Sequence, residues 1–329
     1  MIRGLVLGAL MGAGALSTAV AAARQGRSGP GASQPAPSAA AIRAEKIRDN
    51  LYVLRGGGAT VRVGEVSLPT AGTTLAFIAA NGVVLVDTKL PGWGKPIIDT
   101  LKEITDKPVT MIINTHTHYD HVSGNVEFPA TVDIVTHENT EKLMKDMRPV
   151  TGGPAQPNIF KENNGRGLPT RTFEERMTLG SGSDRIDLYY FGPAHTSGDA
   201  WVVFPALRVL HSGDVFAHKA VPPLDANNGA SGVEYPKTIA KAVAALTEID
   251  TVVTGHYPTT LTMADLKTYG DFTREFVDAV QAAKKAGRTI DDFVNAWKLP
   301  ERFLKDGYVD FSHLRPLRPD VEVIWNETR

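Results

Sequence analysis

The heptapeptide Thr115-His116-Thr117-His118-Tyr119-Asp120-His121 directly follows the apolar run Val109–Ile113, and it restricts the chain more than any other stretch. It places four candidate metal ligands within six residues. In extended chain, alternate side chains face the same way, so His116 and His118 can converge on one ion. Asp120 and His121 fall where the chain should turn and can face a second ion. A solvated polar loop does not account for that density of imidazole and carboxylate, so the pattern points to hydrolytic metal chemistry.

Three more candidates each follow a strand-like run. His195 lies in Tyr-Phe-Gly-Pro-Ala-His-Thr-Ser-Gly-Asp, Asp214 in His-Ser-Gly-Asp and His256 in Thr-Gly-His-Tyr. Loops at strand ends let a rigid sheet hold functional groups in place. Imidazole and carboxylate suit zinc, and a hydrolytic ion keeps one position open for water. Two ions about 3.5–4 Å apart can share a bridging carboxylate.

In these motifs, from about residue 47 to 256, the chain resembles the metallo-β-lactamase superfamily. The resemblance implies an α/β fold, an αββα sandwich with the metals along one edge of its two sheets. It implies two zinc ions, with iron or manganese as alternatives. His116, His118 and His195 would hold the first, Asp120, His121 and His256 the second, and Asp214 would bridge them. Asp87, in Val-Val-Leu-Val-Asp-Thr, matches an acidic residue that supports the cluster from behind. Metal-binding imidazoles need such partners on their other nitrogen. The chain departs from the family at Ala194, where many members carry Gly before the third histidine. Ala fits a tight turn there unless φ must be positive.

Composition sets the frame for this site. The 329 residues are 42% hydrophobic with net charge −1, which suits one large domain or a domain with an appendage. A general nucleic-acid binder would show a basic face, so no nucleic-acid partner is expected. There is no cysteine, which removes disulfides and a cysteine-linked lipid anchor. Arg3, the uncharged run 4–20 and the small-residue site Ala19-Val20-Ala21, or Ala21-Ala22-Ala23, read as a cleavable signal peptide over 1–23. The competing reading, a transmembrane anchor, needs about 20 strongly apolar residues, and this run is shorter and rich in Gly and Ala. The mature protein is therefore expected in the periplasm or secreted, with no membrane contact after cleavage. Residues 24–41, rich in Gly, Pro, Ser and Ala, read as a disordered linker.

The catalytic domain is expected over 42–260. Strands are predicted at 50–55, 73–79, 83–86, 109–113, 132–135, 186–191, 201–204, 208–210 and 251–253. Asn81-Gly82 signals a hairpin. Helices are predicted at 96–105, 140–147 and 236–248. A C-terminal helical extension, 261–329, is expected to pack on the catalytic domain through a long amphipathic helix, 264–287, and a second at 289–297. Lys284, Lys285 and Gly287 read as a helix C-terminus, and Thr289 with Asp292 as a cap.

Asp214 makes the ligand set similar to that of glyoxalase II and bacterial lactonases. The implied activity is an exported dinuclear zinc hydrolase of small molecules. A hydroxide held between the ions would attack an ester, thioester, lactone or amide carbonyl, with Asp120 orienting it and passing a proton on. Tyr257 is a candidate donor to the developing oxyanion. His218 and Lys219 are candidate substrate contacts. The long segments 56–73, 148–168 and 218–232 are expected to shape the pocket. His137, His211 and His313 have no metal context and read as structural. The alternatives are a β-lactam-hydrolysing enzyme, a mononuclear iron enzyme like persulfide dioxygenases, and a metal-binding module without turnover. A nuclease lacks its basic surface, and a flavodiiron protein would carry Glu in place of His118.

Overall fold

A computed structural model describes residues 37–63, 66–312 and 315–329. The expected signal peptide, most of the linker and His313 lie outside the described residues. Ala39–Ala41, assigned from composition to the linker, form one 3-10 turn before the first strand.

Nine strands lie between Ile42 and Phe173. They are β1 (Ile42–Arg48), β2 (Leu51–Gly56), β3 (Thr60–Val63), β4 (Val66–Pro69), β5 (Thr74–Ala79), β6 (Gly82–Val86), β7 (Val109–Ile113), β8 (Asp133–His137) and β9 (Arg171–Phe173). Seven make one sheet in the order β1-β2-β5-β6-β7-β8-β9, while β3 and β4 pair alone as a ribbon. That ribbon accounts for the long stretch between the second and fifth strands. A second sheet runs β10 (Arg176–Leu179), β11 (Ile186–Tyr189), β12 (Trp201–Phe204), β13 (Val209–His211) and β14 (Thr251–Val253).

Strand direction decides where the candidate ligands emerge. From β6 through β9 the pairing is parallel, so Asp87 and the histidine cluster leave β6 and β7 at one edge. In the second sheet β13 and β14 are also parallel, which sends Asp214 and His256 out together. The antiparallel neighbour β12 starts where β13 ends, with Val202 opposite His211, so His195 just before β12 reaches the same edge.

The alternation of strand side chains divides the core into three layers. Val84, Val86, Ile113 and Val135 of the first sheet meet Leu188, Val202, Phe204, Val209 and Val253 of the second. Their neighbours Val83, Leu85, Ile112 and Ile134 face outward onto Ile97 and Leu101 of α1 (Gly94–Lys102). Trp201, Val203, Leu210 and Val252 likewise face helices α5 (Tyr235–Ala245) and α6 (Met263–Lys285). The molecule is thus an αββα sandwich. The connections from β7 to β8 and from β8 to β9 carry α2 (Tyr119–Val122), α3 (Glu138–Asp146) and α4 (Ile159–Glu162). Phe160 of α4 packs on Val122 and Met144, which gives the Pro/Gly/Asn-rich stretch 148–168 a small core of its own.

The C-terminal helices share the outer core. α6 contributes Leu266, Tyr269, Phe272 and Phe276, and Phe293 of α7 (Ile290–Ala296), Phe303 of α8 (Glu301–Lys305) and Val321 and Ile324 of α9 (Arg318–Glu327) join the same cluster. Full burial of each such side chain is worth about 1.5–3 kcal/mol, so packing rather than helix propensity holds these short helices. Capping boxes start α6 at Thr262 with Asp265 and α7 at Thr289 with Asp292, each worth about 1 kcal/mol. No helix among the described residues is long and apolar enough to cross a membrane.

Candidate metal centre

All seven candidate ligands meet at the shared edge of the two sheets. Their potential donor atoms form two groups, His116, His118, His195 and Asp214 in one and Asp120, His121 and His256 in the other, with every donor in a group within 4.8 Å of the rest. His116 lies in a bend after β7 and His118 on extended chain, whereas Asp120 and His121 lie on the one-turn helix α2. Asp214 sits between the groups. Its Oδ2 lies 3.9 Å from His116 Nε2, 3.7 Å from His195 Nε2 and 3.3 Å from His256 Nε2, and its Oδ1 lies 3.4 Å from His121 Nε2.

Each imidazole is held by its outer nitrogen. His121 Nδ1 donates to Asp87 Oδ2 at 2.7 Å, and His118 Nε2 donates to Asp225 Oδ2 at 2.7 Å. His195 Nδ1 donates to the Pro223 carbonyl at 2.6 Å and His256 Nδ1 to that of Pro69 at 3.1 Å. The Thr115 hydroxyl donates to Asp87 Oδ2 at 2.7 Å. Its oxygen is therefore left to accept from His116 Nδ1 at 2.9 Å. With protons on the outer nitrogens, all five inner nitrogens present lone pairs to the centre.

That arrangement repels itself unless a cation occupies it. Inner nitrogens approach at 3.0 Å between His195 and His118 and at 3.3 Å between His121 and His256, with carboxylate oxygens alongside. His116 Nε2 and Asp214 Oδ1 are buried with no hydrogen-bond partner. The donor set is all nitrogen and oxygen, which suits zinc. The residues present therefore fit a metal pair.

In the absence of a cation the site's electrostatics polarise strongly. Burial opposes a charge on His121, but Asp120, Asp214 and Asp87 outweigh it and push its pKa up to about 9. Burial and the neighbouring His118 lower His195 to about 4. Partial burial works against ionisation of the Asp120 carboxyl, but His121 and His256 outweigh it and hold its pKa down at about 2.

Local backbone brings these groups close. Asp87 has φ 61°, a left-handed conformation that costs about 1–2 kcal/mol for a residue with a side chain. Its buried carboxylate offsets that cost by accepting from Thr115 N at 2.9 Å, from Thr115 Oγ1 and from His121. Gly255 leaves room for Asp214, since a Cβ there would stand 1.7 Å from Asp214 Oδ1. Gly72 does the same for His121, with a Cβ 2.4 Å from its ring. Ala194, the departure from the motif, has no positive φ, so Ala is accommodated.

The remaining candidates are placed differently. Lys219 donates to Asp265 at 2.8 Å and to the Asp306 carbonyl at 3.2 Å, so its ammonium serves the C-terminal helices and not the cluster. His218 stacks on Phe311, ring centres 4.3 Å apart, and its Nδ1 is buried without a partner. Tyr257 packs on the helical core and lines a cavity of about 220 Å³ with Arg43, Arg55 and Pro258. No hydrogen bond among the described residues brings its hydroxyl to the cluster. His137 caps α3 and stacks on Tyr190. His211 accepts from Gly213 N at 3.0 Å and so shapes the turn into Asp214. Asp225 escaped the sequence reading, because nothing in its local sequence ties it to a histidine 107 residues away.

The metallo-beta-lactamase superfamily model matches residues 69–256. The chain belongs to that superfamily, and by class it is a metal-dependent hydrolase. Metallo-beta-lactamase IND-1 of Chryseobacterium indologenes is 24% identical over 187 residues, 56% of this chain and 70% of that protein. The 2,4-dinitroanisole O-demethylase subunit alpha of Nocardioides sp. (strain JS1661) is 30% identical over 145 residues, 43% of this chain and 40% of that protein. Among solved structures, a metallo-beta-lactamase from Pontibacter korlensis has a TM-score of 0.56 at 20% identity, covering 71% of this chain and 99% of its own. At that identity the likeness bears on the fold.

Proposed function

We propose that this chain is an exported dinuclear zinc hydrolase acting on an ester, thioester, lactone or amide of a small molecule. The observation that carries this reading is the convergence of five imidazole lone pairs and two carboxylates, each imidazole anchored from behind. His116, His118 and His195 would hold one ion, Asp120, His121 and His256 the other, with Asp214 between. When bound, such ions lower the pKa of water from 15.7 to about 7 and polarise a carbonyl oxygen.

The chain's own residues set the direction of attack. His116 and His195 are buried at the floor, while the side chains of Asp120 and His256 keep 22% and 16% of their exposure. Substrate therefore approaches over Asp120 and His256. Asp120, ionised through its histidine neighbours, is placed to orient the attacking water and to carry its proton to the leaving group. Export rests on the N-terminal segment, with its Arg3, uncharged run and small-residue cleavage site.

A second reading, β-lactam hydrolysis, draws on the printed name of the Chryseobacterium relative. Against it stands Lys219. A cation beside the cluster could meet the carboxylate of a β-lactam, yet the Lys219 ammonium is engaged by Asp265.

The test is metal content measured together with chelator-sensitive turnover of thioesters, aryl esters, lactones and a chromogenic cephalosporin. 2,4-Dinitroanisole joins the panel because the Nocardioides relative is named for it. About two zinc ions per chain, with turnover that chelator abolishes and His118→Ala removes, is the expected result. One iron per chain and no hydrolysis would sink the proposal and direct attention to oxygen-dependent sulfur chemistry.

A further inference from the structure

Three consecutive residues, Pro223, Leu224 and Asp225, stand behind two histidines of the cluster. The Pro223 carbonyl accepts from His195 Nδ1 at 2.6 Å, and Asp225 Oδ2 accepts from His118 Nε2 at 2.7 Å. Asp225 is fixed independently, since its Oδ1 accepts from Thr151 N at 3.0 Å and from Thr151 Oγ1 at 2.7 Å. The residue between the two supports is held from the far end of the chain. Leu224 N donates to Oδ1 of Asp320 in α9 at 2.8 Å, and α9 lies beyond the segment that matches the superfamily.

Asp320 is 1% exposed, where a carboxylate is costly unless it is paired and fully hydrogen-bonded. Here both conditions are met. Arg315 donates to both carboxylate oxygens, Nη2 to Oδ1 at 2.6 Å and Nη1 to Oδ2. The ion pair thus holds a buried acceptor in one orientation, and Oδ1 also takes the N–H of Leu224. A helix needed only for packing would present an apolar residue at this point, as Val321 and Ile324 do.

We infer that Asp320 is a positioning residue of the metal centre. By clamping Leu224 N–H it keeps the neighbouring Pro223 carbonyl on His195, beside an Asp225 that Thr151 already fixes on His118, so the C-terminal helices set the orientation of His195. The inference rests on the reading of the cluster as a zinc site.

The test measures zinc affinity of the full chain by competition with a chromogenic chelator, and the visible absorption of the cobalt-substituted protein. Asp320→Ala removes the acceptor. It is expected to weaken zinc binding about 10–100-fold, the range for loss of a ligand's outer partner, and to change the cobalt spectrum. Asp320→Asn keeps the shape and one carbonyl oxygen for Leu224 N–H but gives up half of the Arg315 pairing, so it is expected to lose less zinc affinity than Asp320→Ala. If Asp320→Ala does not fold, the double variant Arg315→Met with Asp320→Leu takes its place. Apolar replacement of a buried ion pair is commonly tolerated, and the same loss of affinity is expected. Wild-type zinc affinity and cobalt spectrum in a folded Asp320→Ala or double variant would overturn the inference and leave the zinc reading standing. Failure of the wild type to bind zinc would overturn both.

Discussion

Nδ1 of His121 donates to Oδ2 of Asp87 across 2.7 Å, and both side chains are fully buried. The same oxygen accepts from the Thr115 hydroxyl, and that hydroxyl is the acceptor for His116 Nδ1. One carboxylate on a left-handed backbone therefore orients a histidine in each half of the cluster. Asp87→Asn keeps the shape and tolerates the backbone, because Asn adopts that conformation readily. Its expected effect is a fall in zinc affinity of about 10–100-fold. Competition titration checks this, and unchanged affinity would show that the carboxylate charge is dispensable.

Metal removal should destabilise the protein well beyond the site. Binding to the folded state alone adds about 2.7 kcal/mol when free ligand is 100 times its dissociation constant. The lone-pair contacts at 3.0 and 3.3 Å lose their compensation when the ions leave. A calorimetric scan with and without chelator should show a clear drop in Tm that added zinc restores. Coincident scans would contradict a zinc-filled centre.

Gly255→Ala tests how tightly the second sheet holds Asp214. The new methyl would stand 1.7 Å from Asp214 Oδ1, so the carboxylate or the backbone has to move. Overpacking of this kind costs about 1–3 kcal/mol in stability. The larger expected effect is on metal content, which should fall below that of wild type in protein that remains folded. Full metal content in the folded variant would mean that Asp214 does not need its present position.

Lys89 supplies a pH signature apart from the ligands. Its ammonium is buried and donates to the Gly72 carbonyl at 2.8 Å. Burial lowers its pKa from 10.5 to about 7, against the opposing pull of Asp87. Between those values the unfolded chain binds the extra proton and the folded chain does not. Stability from this residue therefore rises as pH climbs from about 7 to 10 and is lost again as pH falls back toward 7. Lys89→Met should flatten that slope in denaturant titrations at pH 7, 8.5 and 9.5. Parallel slopes for the two proteins would show that the lysine stays charged in the fold.

What could be read from the chain depended on the range of the signal. The strands at Val109–Ile113 and Thr251–Val253 were legible because apolar runs end in sharp polar motifs, and Trp201–Phe204 because its apolar run lies between Gly198-Asp199 and Pro205. The cap of α7 was legible because Thr289 and Asp292 make it locally. β1, with charged residues at four of its seven positions and only Ile42 buried, offers no clean alternation. β9 and β10 are three and four residues long, too short for periodicity to register. The cluster itself announced its candidate ligands through spacing and resemblance, and of its outer partners only Asp87 was named. Thr115 looks like part of a motif, the Pro69 and Pro223 carbonyls carry no residue-type signal, and Asp225 and Asp320 act on groups that only folding brings near. Lys219 misled in the opposite sense, since its proximity to Asp214 in sequence says nothing of the partner, Asp265, that takes its ammonium.

The division of donors between the two sheets also orders events in time. His116, His118, Asp120 and His121 leave the first sheet, while His195, Asp214 and His256 arrive only after the second has formed and docked. A partly made or half-unfolded chain carries an incomplete set, three imidazoles with the carboxylate of Asp120 but without Asp214 and the two later histidines. On the proposed reading, tight capture of metal would mark the finished molecule, and the ion would serve as a seal on assembly instead of a seed for it.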